Sequence, residues 1–166
     1  MAKHTKLDIT IVALSIGFII ILLVSGYFER DVLALHLFQS LIYVAIIVLS
    51  LKHNKWGYGI AVSIAAFWNI FNIFSGFFSA GIHQWMILLK TGRITNPVNL
   101  VAPLAGLDHL ALIVCAVWAY VRLPNKRVSD IWVLVGSFIL SVGYLLVMIA
   151  LLWSQFIPQM KKMIFG

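Results

Sequence analysis

Histidine, aspartate and glutamine side chains lie inside long apolar runs of this sequence, where they are candidates for binding a cofactor. His36 and Gln39 belong to one run, and Asp108 and His109 belong to another. Both pairs follow the start of a predicted helix by a few residues, at similar depth on the same side of the predicted bundle. Imidazole nitrogen is a good ligand for haem iron. His36 and His109 are therefore candidate axial ligands of a haem or of a chlorophyll-type pigment, with Asp108 and Gln39 as neighbouring polar groups.

Two other ligands fit the same side chains. A quinone head group accepts hydrogen bonds and exchanges protons, and histidine with aspartate near an interface suits both tasks. A metal ion such as zinc, copper or iron is the other candidate, held by His36, His83 and His109 with Asp108 nearby. The sequence has no HExxH motif and no pair of histidines four residues apart, so haem, pigment, quinone and metal all stay open. Asp108 and His109 are adjacent, so on a helix their side chains diverge by about 100°.

A second group of polar residues is interpreted as interior contacts between helices. Asn69 and Asn72 recur at helical spacing in the run between Trp56 and Trp85, and Tyr43 shares a stripe with His36 and Gln39. In hydrocarbon such a stripe must face other helices or a cavity. We therefore expect the helix that contains Asn69 to be central, and the lining of an ion path is the alternative role for these residues.

Composition places these residues in a membrane protein. The 166 residues are 63% hydrophobic and only 10% charged, whereas soluble domains carry about 25% charged residues. Charge-free runs of about 20 residues, each long enough to span a bilayer, recur along the chain. The sequence predicts a single all-α integral membrane domain with about five transmembrane helices, four being the alternative. The predicted helices cover residues 9–28, 32–51, 57–80, 103–121 and 130–156.

The longest predicted connection runs from residue 82 to residue 102. Its first part is amphipathic and contains Trp85, which is typical of a helix lying in the membrane interface. Asn96 and Pro97 indicate a turn. The apolar stretch that follows is either a short re-entrant piece or the lead-in to the next helix.

The net charge of +7 comes from short basic clusters at the ends of the apolar runs. That placement is typical of interfacial anchoring and argues against nucleic-acid binding. Alternate ends of a five-helix bundle collect seven and five Lys and Arg residues, with seven on the side of the N-terminus. The positive-inside rule therefore predicts a cytoplasmic N-terminus.

Three functions follow from this architecture. A chain with very short loops and no soluble catalytic domain is interpreted first as an accessory subunit of a larger membrane complex, electron-transfer or photosynthetic, with lipid and other membrane subunits as partners. The second interpretation is a small redox protein that binds haem, pigment or quinone through His36 and His109. The third is a transporter of ions or small solutes. No nucleophile–base pair at usable spacing indicates an enzyme, and Cys115 is the single cysteine, so an intrachain disulfide is excluded.

Overall fold

The computed structural model describes residues 5–124, 127–152 and 158, and this part of the chain is helical without a β-strand. Five of its helices are long and apolar enough to cross a membrane, which confirms the predicted helical bundle at this level. The helices are α1 (Lys6–Phe28), α2 (Leu33–Leu51), α3 (Lys55–Phe74), α4 (Phe77–Thr91), α5 (Pro97–Val121) and α6 (Ile131–Leu152). The predicted continuation of the last helix from 153 to 156 lies outside the described residues.

Polar residues at the helix starts explain where α1, α3 and α5 begin. Thr5 and Asp8 form a capping box, in which each side chain accepts a hydrogen bond from the other residue's backbone N–H. Asn54 caps α3, and Asn96 caps α5 by accepting from the Val98 N–H at 3.0 Å. These caps satisfy backbone N–H groups that have no partner inside a helix.

The stretch between α3 and α5 differs most from the predicted bounds. The predicted helix 57–80 ends at Phe74, because Gly76 adopts a left-handed conformation with φ of 78° that breaks the helix. The chain then forms the separate helix α4. Helix α5 starts at Pro97 rather than at residue 103, because Asn96 supplies a cap and proline is well suited to the first helical position. The predicted connection 82–102 is therefore largely helical.

Helix α3 is central, as its polar stripe predicts. It packs against α2, α4, α5 and α6, and 56% of its apolar window is buried, compared with 28–33% in the other four long helices. Small residues allow close packing with α6, since a Cβ added to Gly59 would lie only 2.5 Å from the Ser137 hydroxyl oxygen. Ser137 and Ser141, which are four residues apart on α6, are both fully buried, as expected for small residues at a close helix–helix contact.

The bundle has two ends that differ in structure. The network end contains the start of α1 with Asp8, the α2–α3 connection with His53, and Asp130 before α6. The cavity end contains Glu29, between α1 and α2, and Val98 in the first turn of α5. Helices α1 and α3 run from the network end to the cavity end, and α2 and α5 run back.

Candidate functional site

A cavity of about 130 Å³ opens between helices at the cavity end. Phe18, Trp68, Phe71 and Phe77 contribute aromatic rings to a wall that is otherwise mainly aliphatic. Its polar lining consists of Ser25, Glu29, His36, Gln39, Asn72 and Asn99. An apolar wall with a few convergent polar groups is the usual composition of a small-molecule site.

His36 projects from α2 into this lining in a defined hydrogen-bonding state. Its Nδ1 lies 3.0 Å from the backbone oxygen of Leu22. A carbonyl oxygen accepts only, so Nδ1 carries the hydrogen in this contact. In the neutral ring Nε2 is then an acceptor, and the contact with α1 fixes the orientation of the imidazole.

Gln39 and Trp68 also line the cavity, and each carries a buried polar atom. Gln39 is 1% exposed and Trp68 is 8% exposed. Gln39 Oε1 and Trp68 Nε1 have no hydrogen-bond partner among the described residues. A buried donor or acceptor left without a hydrogen bond destabilises the folded protein by about 1–3 kcal/mol. The indole is a fixed donor, whereas rotation of the amide lets Gln39 present either its oxygen or its NH₂ group.

His109 occupies a different environment from His36. It is completely buried, and its Nε2 lies 2.7 Å from the hydroxyl oxygen of Tyr43. The Phe18 ring stacks on the imidazole with 4.0 Å between ring centroids. Because Phe18 also lines the cavity, it separates His109 from that space. His36 and His109 therefore do not face a common ligand: His109 is buried in the core, whereas His36 is half-buried at the cavity.

The cavity volume is closer to that of a single-ring site than to that of a large-ligand pocket. Drug-sized ligands occupy pockets of about 300–1,000 Å³, whereas an engineered cavity of about 150 Å³ accommodates benzene. A compact ring therefore suits this space better than a haem or chlorophyll-type macrocycle does. No family model, curated protein or solved structure matches this chain. The chemistry of the cavity is therefore the basis for assigning its ligand.

Asp108 diverges from His109, as adjacent positions on a helix require. It is half-buried on α5, and a Cβ added to Gly17 of α1 would lie 3.4 Å from its Oδ1. Its Oδ2 is buried and has no hydrogen-bond partner among the described residues. Asp108 thus faces the seam between α1 and α5, while His109 faces the core.

The remaining predicted site residues are dispersed. His83 lies exposed on α4, and Asn72 lines the cavity. Asn69 donates from Nδ2 to the Gly106 backbone oxygen at 3.5 Å, a long contact between α3 and α5. Within the described residues no three His, Cys, Asp or Glu side chains are grouped so that they could hold a metal ion. The structure therefore does not bring His36, His83 and His109 together.

The network end contains an ionisable cluster that the sequence reasoning missed. The buried carboxylate of Asp8 accepts hydrogen bonds from the Tyr58 hydroxyl at 2.6 Å and from the backbone N–H and hydroxyl of Thr5 at 3.0 and 2.6 Å. His53 Nδ1 lies 3.1 Å from the same carboxylate. The Thr5–Asp8 spacing was the available signal, because it is that of a capping box.

A second cluster joins α3, α5 and the start of α6 at the same end. The Lys55 ammonium lies 2.7 and 2.9 Å from the two carboxylate oxygens of Asp130. The Arg127 backbone N–H donates to Asp130 at 3.0 Å, and the Tyr120 hydroxyl at 3.1 Å. The Lys55 ammonium, followed by the Arg127 N–H, holds the pKa of Asp130 below its usual value. These contacts connect α3 and α5 to the start of α6.

Proposed function

We propose that this protein is an integral membrane protein that binds one quinone-class ring compound in the cavity beside His36, Gln39 and Trp68. Membrane insertion is supported by the five long apolar helices and by their large exposed apolar side chains. All described Lys and Arg residues lie in the first or last turn of a helix or in a connection, where they can reach the interfaces.

The observation that carries the proposal is that two residues lining an aromatic cavity, Gln39 and Trp68, each have a buried polar atom without a partner among the described residues. A quinone has two ring oxygens that accept hydrogen bonds, and the reduced quinol carries hydroxyls that donate as well. Trp68 Nε1 supplies a donor, and the Gln39 amide supplies a donor or an acceptor as required. Both atoms would recover the hydrogen-bond energy that they lack in the described structure.

His36 gives the site an acceptor for the reduced form. With Nδ1 donating to Leu22, Nε2 of the neutral ring is an acceptor for a quinol hydroxyl. Glu29, exposed at the rim of the cavity, is a route for protons between the site and water. A quinone's apolar tail would leave through the mouth toward lipid, since the cavity has room for the ring alone. This function fits the predicted role as a subunit of an electron-transfer complex.

The test is calorimetric titration of the purified protein in lipid nanodiscs with decylubiquinone, with empty nanodiscs as the reference. We expect saturable binding at one site. Gln39→Leu removes one hydrogen-bonding group and should weaken binding by roughly 3- to 10-fold, the equivalent of about 0.5–1.5 kcal/mol. His36→Ala should weaken it by a similar factor, whereas His83→Ala, an exposed histidine on α4, should leave binding unchanged. Heat equal to that of empty nanodiscs would overturn the proposal.

A further inference from the structure

Asp108 is a carboxyl group in the middle of a membrane-length helix. At 1.5 Å per residue it lies about 16 Å from Pro97 and about 20 Å from Val121, the two ends of α5. The hydrocarbon core of a bilayer is about 30 Å thick. A spanning α5 therefore places this side chain near the centre of the membrane.

Within the described part of the chain, no ion pair balances a negative charge on Asp108. The described basic side chains lie near helix ends, and the ion pairs that they form with carboxylates involve Asp8 and Asp130. From α1 the neighbour is Gly17, and from α3 the polar residue nearest this level is Asn69, beside Gly106. The titratable neighbours are His109 on the same helix, which is bonded to Tyr43, and Tyr43 itself.

We propose that Asp108 is a proton-binding site at mid-membrane depth, with the proton exchanging at a neutral carboxylic acid beside the α1–α5 seam. An unpaired carboxylate at this depth costs several kcal/mol, and a neutral acid avoids that cost. Ionisable residues inside transmembrane helices commonly mark proton or ion pathways. This inference does not depend on a ligand in the cavity, so it stands or fails separately from the quinone proposal.

A neutral carboxylic acid in apolar surroundings has a specific chemical signature. A hydrophobic carbodiimide takes the acid's proton on one nitrogen while the carboxyl oxygen bonds to the central carbon. The resulting O-acylisourea rearranges to a stable N-acylurea. No group leaves, so the modified residue gains the full mass of the reagent. An ionised carboxylate lacks the proton that starts this addition.

The experiment treats the full chain in nanodiscs with dicyclohexylcarbodiimide and locates the adduct by peptide mass spectrometry. The other acidic residues, Asp8, Glu29, Asp31 and Asp130, are internal controls. We expect modification at Asp108, with a rate that falls as pH rises because the reactive neutral form is depleted. Asp108→Asn should abolish this adduct.

A matched pair of glycine variants tests the position of the reactive group. Gly17→Leu fills the space beside Asp108 Oδ1 and should slow the modification several-fold. Gly143→Leu adds the same side chain on α6, where an added Cβ meets nothing within 4 Å, and should leave the rate unchanged. If Gly17→Leu does not fold, the proposal is tested by the pH dependence of the modification rate and by the loss of the adduct in Asp108→Asn. An unmodified Asp108 from pH 5 to 8, or a rate independent of pH, would overturn the proposal.

Discussion

Two regions of the bundle, the Asp8 cluster and the cavity wall, differ in how their buried polar atoms are satisfied. At the network end, Asp8 accepts hydrogen bonds from Tyr58 and from Thr5 twice, and it also lies beside His53. At the cavity end, Gln39 and Trp68 retain atoms without a partner among the described residues. Satisfied polar networks add rigidity, whereas unpaired buried atoms lower stability. We therefore expect the Asp8 cluster to hold the helices together, and the unpaired groups of the cavity wall are the basis of the proposed ligand site.

A layer of buried apolar side chains crosses the bundle next to the network end. Ile11 on α1, Ile46 on α2 and Ala116 on α5 are fully buried. Each lies about 8 Å from the network end of its helix at 1.5 Å per residue. The layer stands between the Asp8 cluster and the Tyr43–His109 pair. A change in one region is therefore expected to leave the other region largely intact, which makes the comparison testable by substitution.

The largest change in the free energy of unfolding is expected for a substitution of Asp8. Asp8→Ala removes the acceptor for Tyr58 and Thr5 and leaves their donors unpaired at the network end, so we expect a loss of about 2–4 kcal/mol in the free energy of unfolding. Reversible unfolding in mixed detergent micelles, followed by circular dichroism, measures this loss. Ligand binding at the cavity end should persist under native conditions. A loss below about 0.5 kcal/mol would contradict the structural role of the cluster.

At the cavity end we expect a smaller change in the free energy of unfolding, and in the stabilising direction. Gln39→Leu replaces a buried amide that has an unpaired oxygen by an apolar group of similar size, so stability should stay constant or rise by about 1 kcal/mol. The same unfolding measurement serves here. The variant should lose affinity for decylubiquinone without losing stability. Destabilisation by 2 kcal/mol or more would show that Gln39 is a structural residue.

The smallest change in stability is expected for a substitution of Asp130. Its pKa is lower in the folded protein than in the unfolded chain, chiefly through Lys55. The ionised Asp130 therefore contributes its full stabilisation at pH values above its pKa in the unfolded chain, about 3.9. This stabilisation is lost as pH falls through the lower pKa of the folded protein. The difference in unfolding midpoint between the natural chain and Asp130→Asn should be constant from pH 5 to 7 and should shrink below pH 4. A difference that grows below pH 4 would contradict this assignment.

The helices could be predicted because apolar runs and basic ends are local features of the sequence. The break at Gly76 was missed because the apolar run continues through Phe77 and Phe78, and a positive φ leaves no mark on hydropathy. The start of α5 was misplaced because Asn96-Pro97 signals both a turn and a capped helix start.

The site was predictable only in part. His36 and Gln39 share a helix face, so their common position on the cavity wall follows from a spacing of three residues. The Tyr43–His109 contact joins residues 66 positions apart, and the Asp8–Tyr58 contact joins residues 50 positions apart. Such pairs depend on helix rotation and tilt, which are set by packing among all the helices rather than by local sequence.

The most direct test of the account is quenching of Trp68 fluorescence by decylubiquinone in nanodiscs. A quinone seated in the cavity would contact the Trp68 indole, whereas Trp118 is exposed on the outer surface of α5 and reports only quinone dissolved in the lipid. We predict a saturable quenching component in the natural chain that is lost in Trp68→Phe and retained in Trp118→Phe. Equal, non-saturating quenching in all three proteins would contradict a ring-binding site at the cavity end.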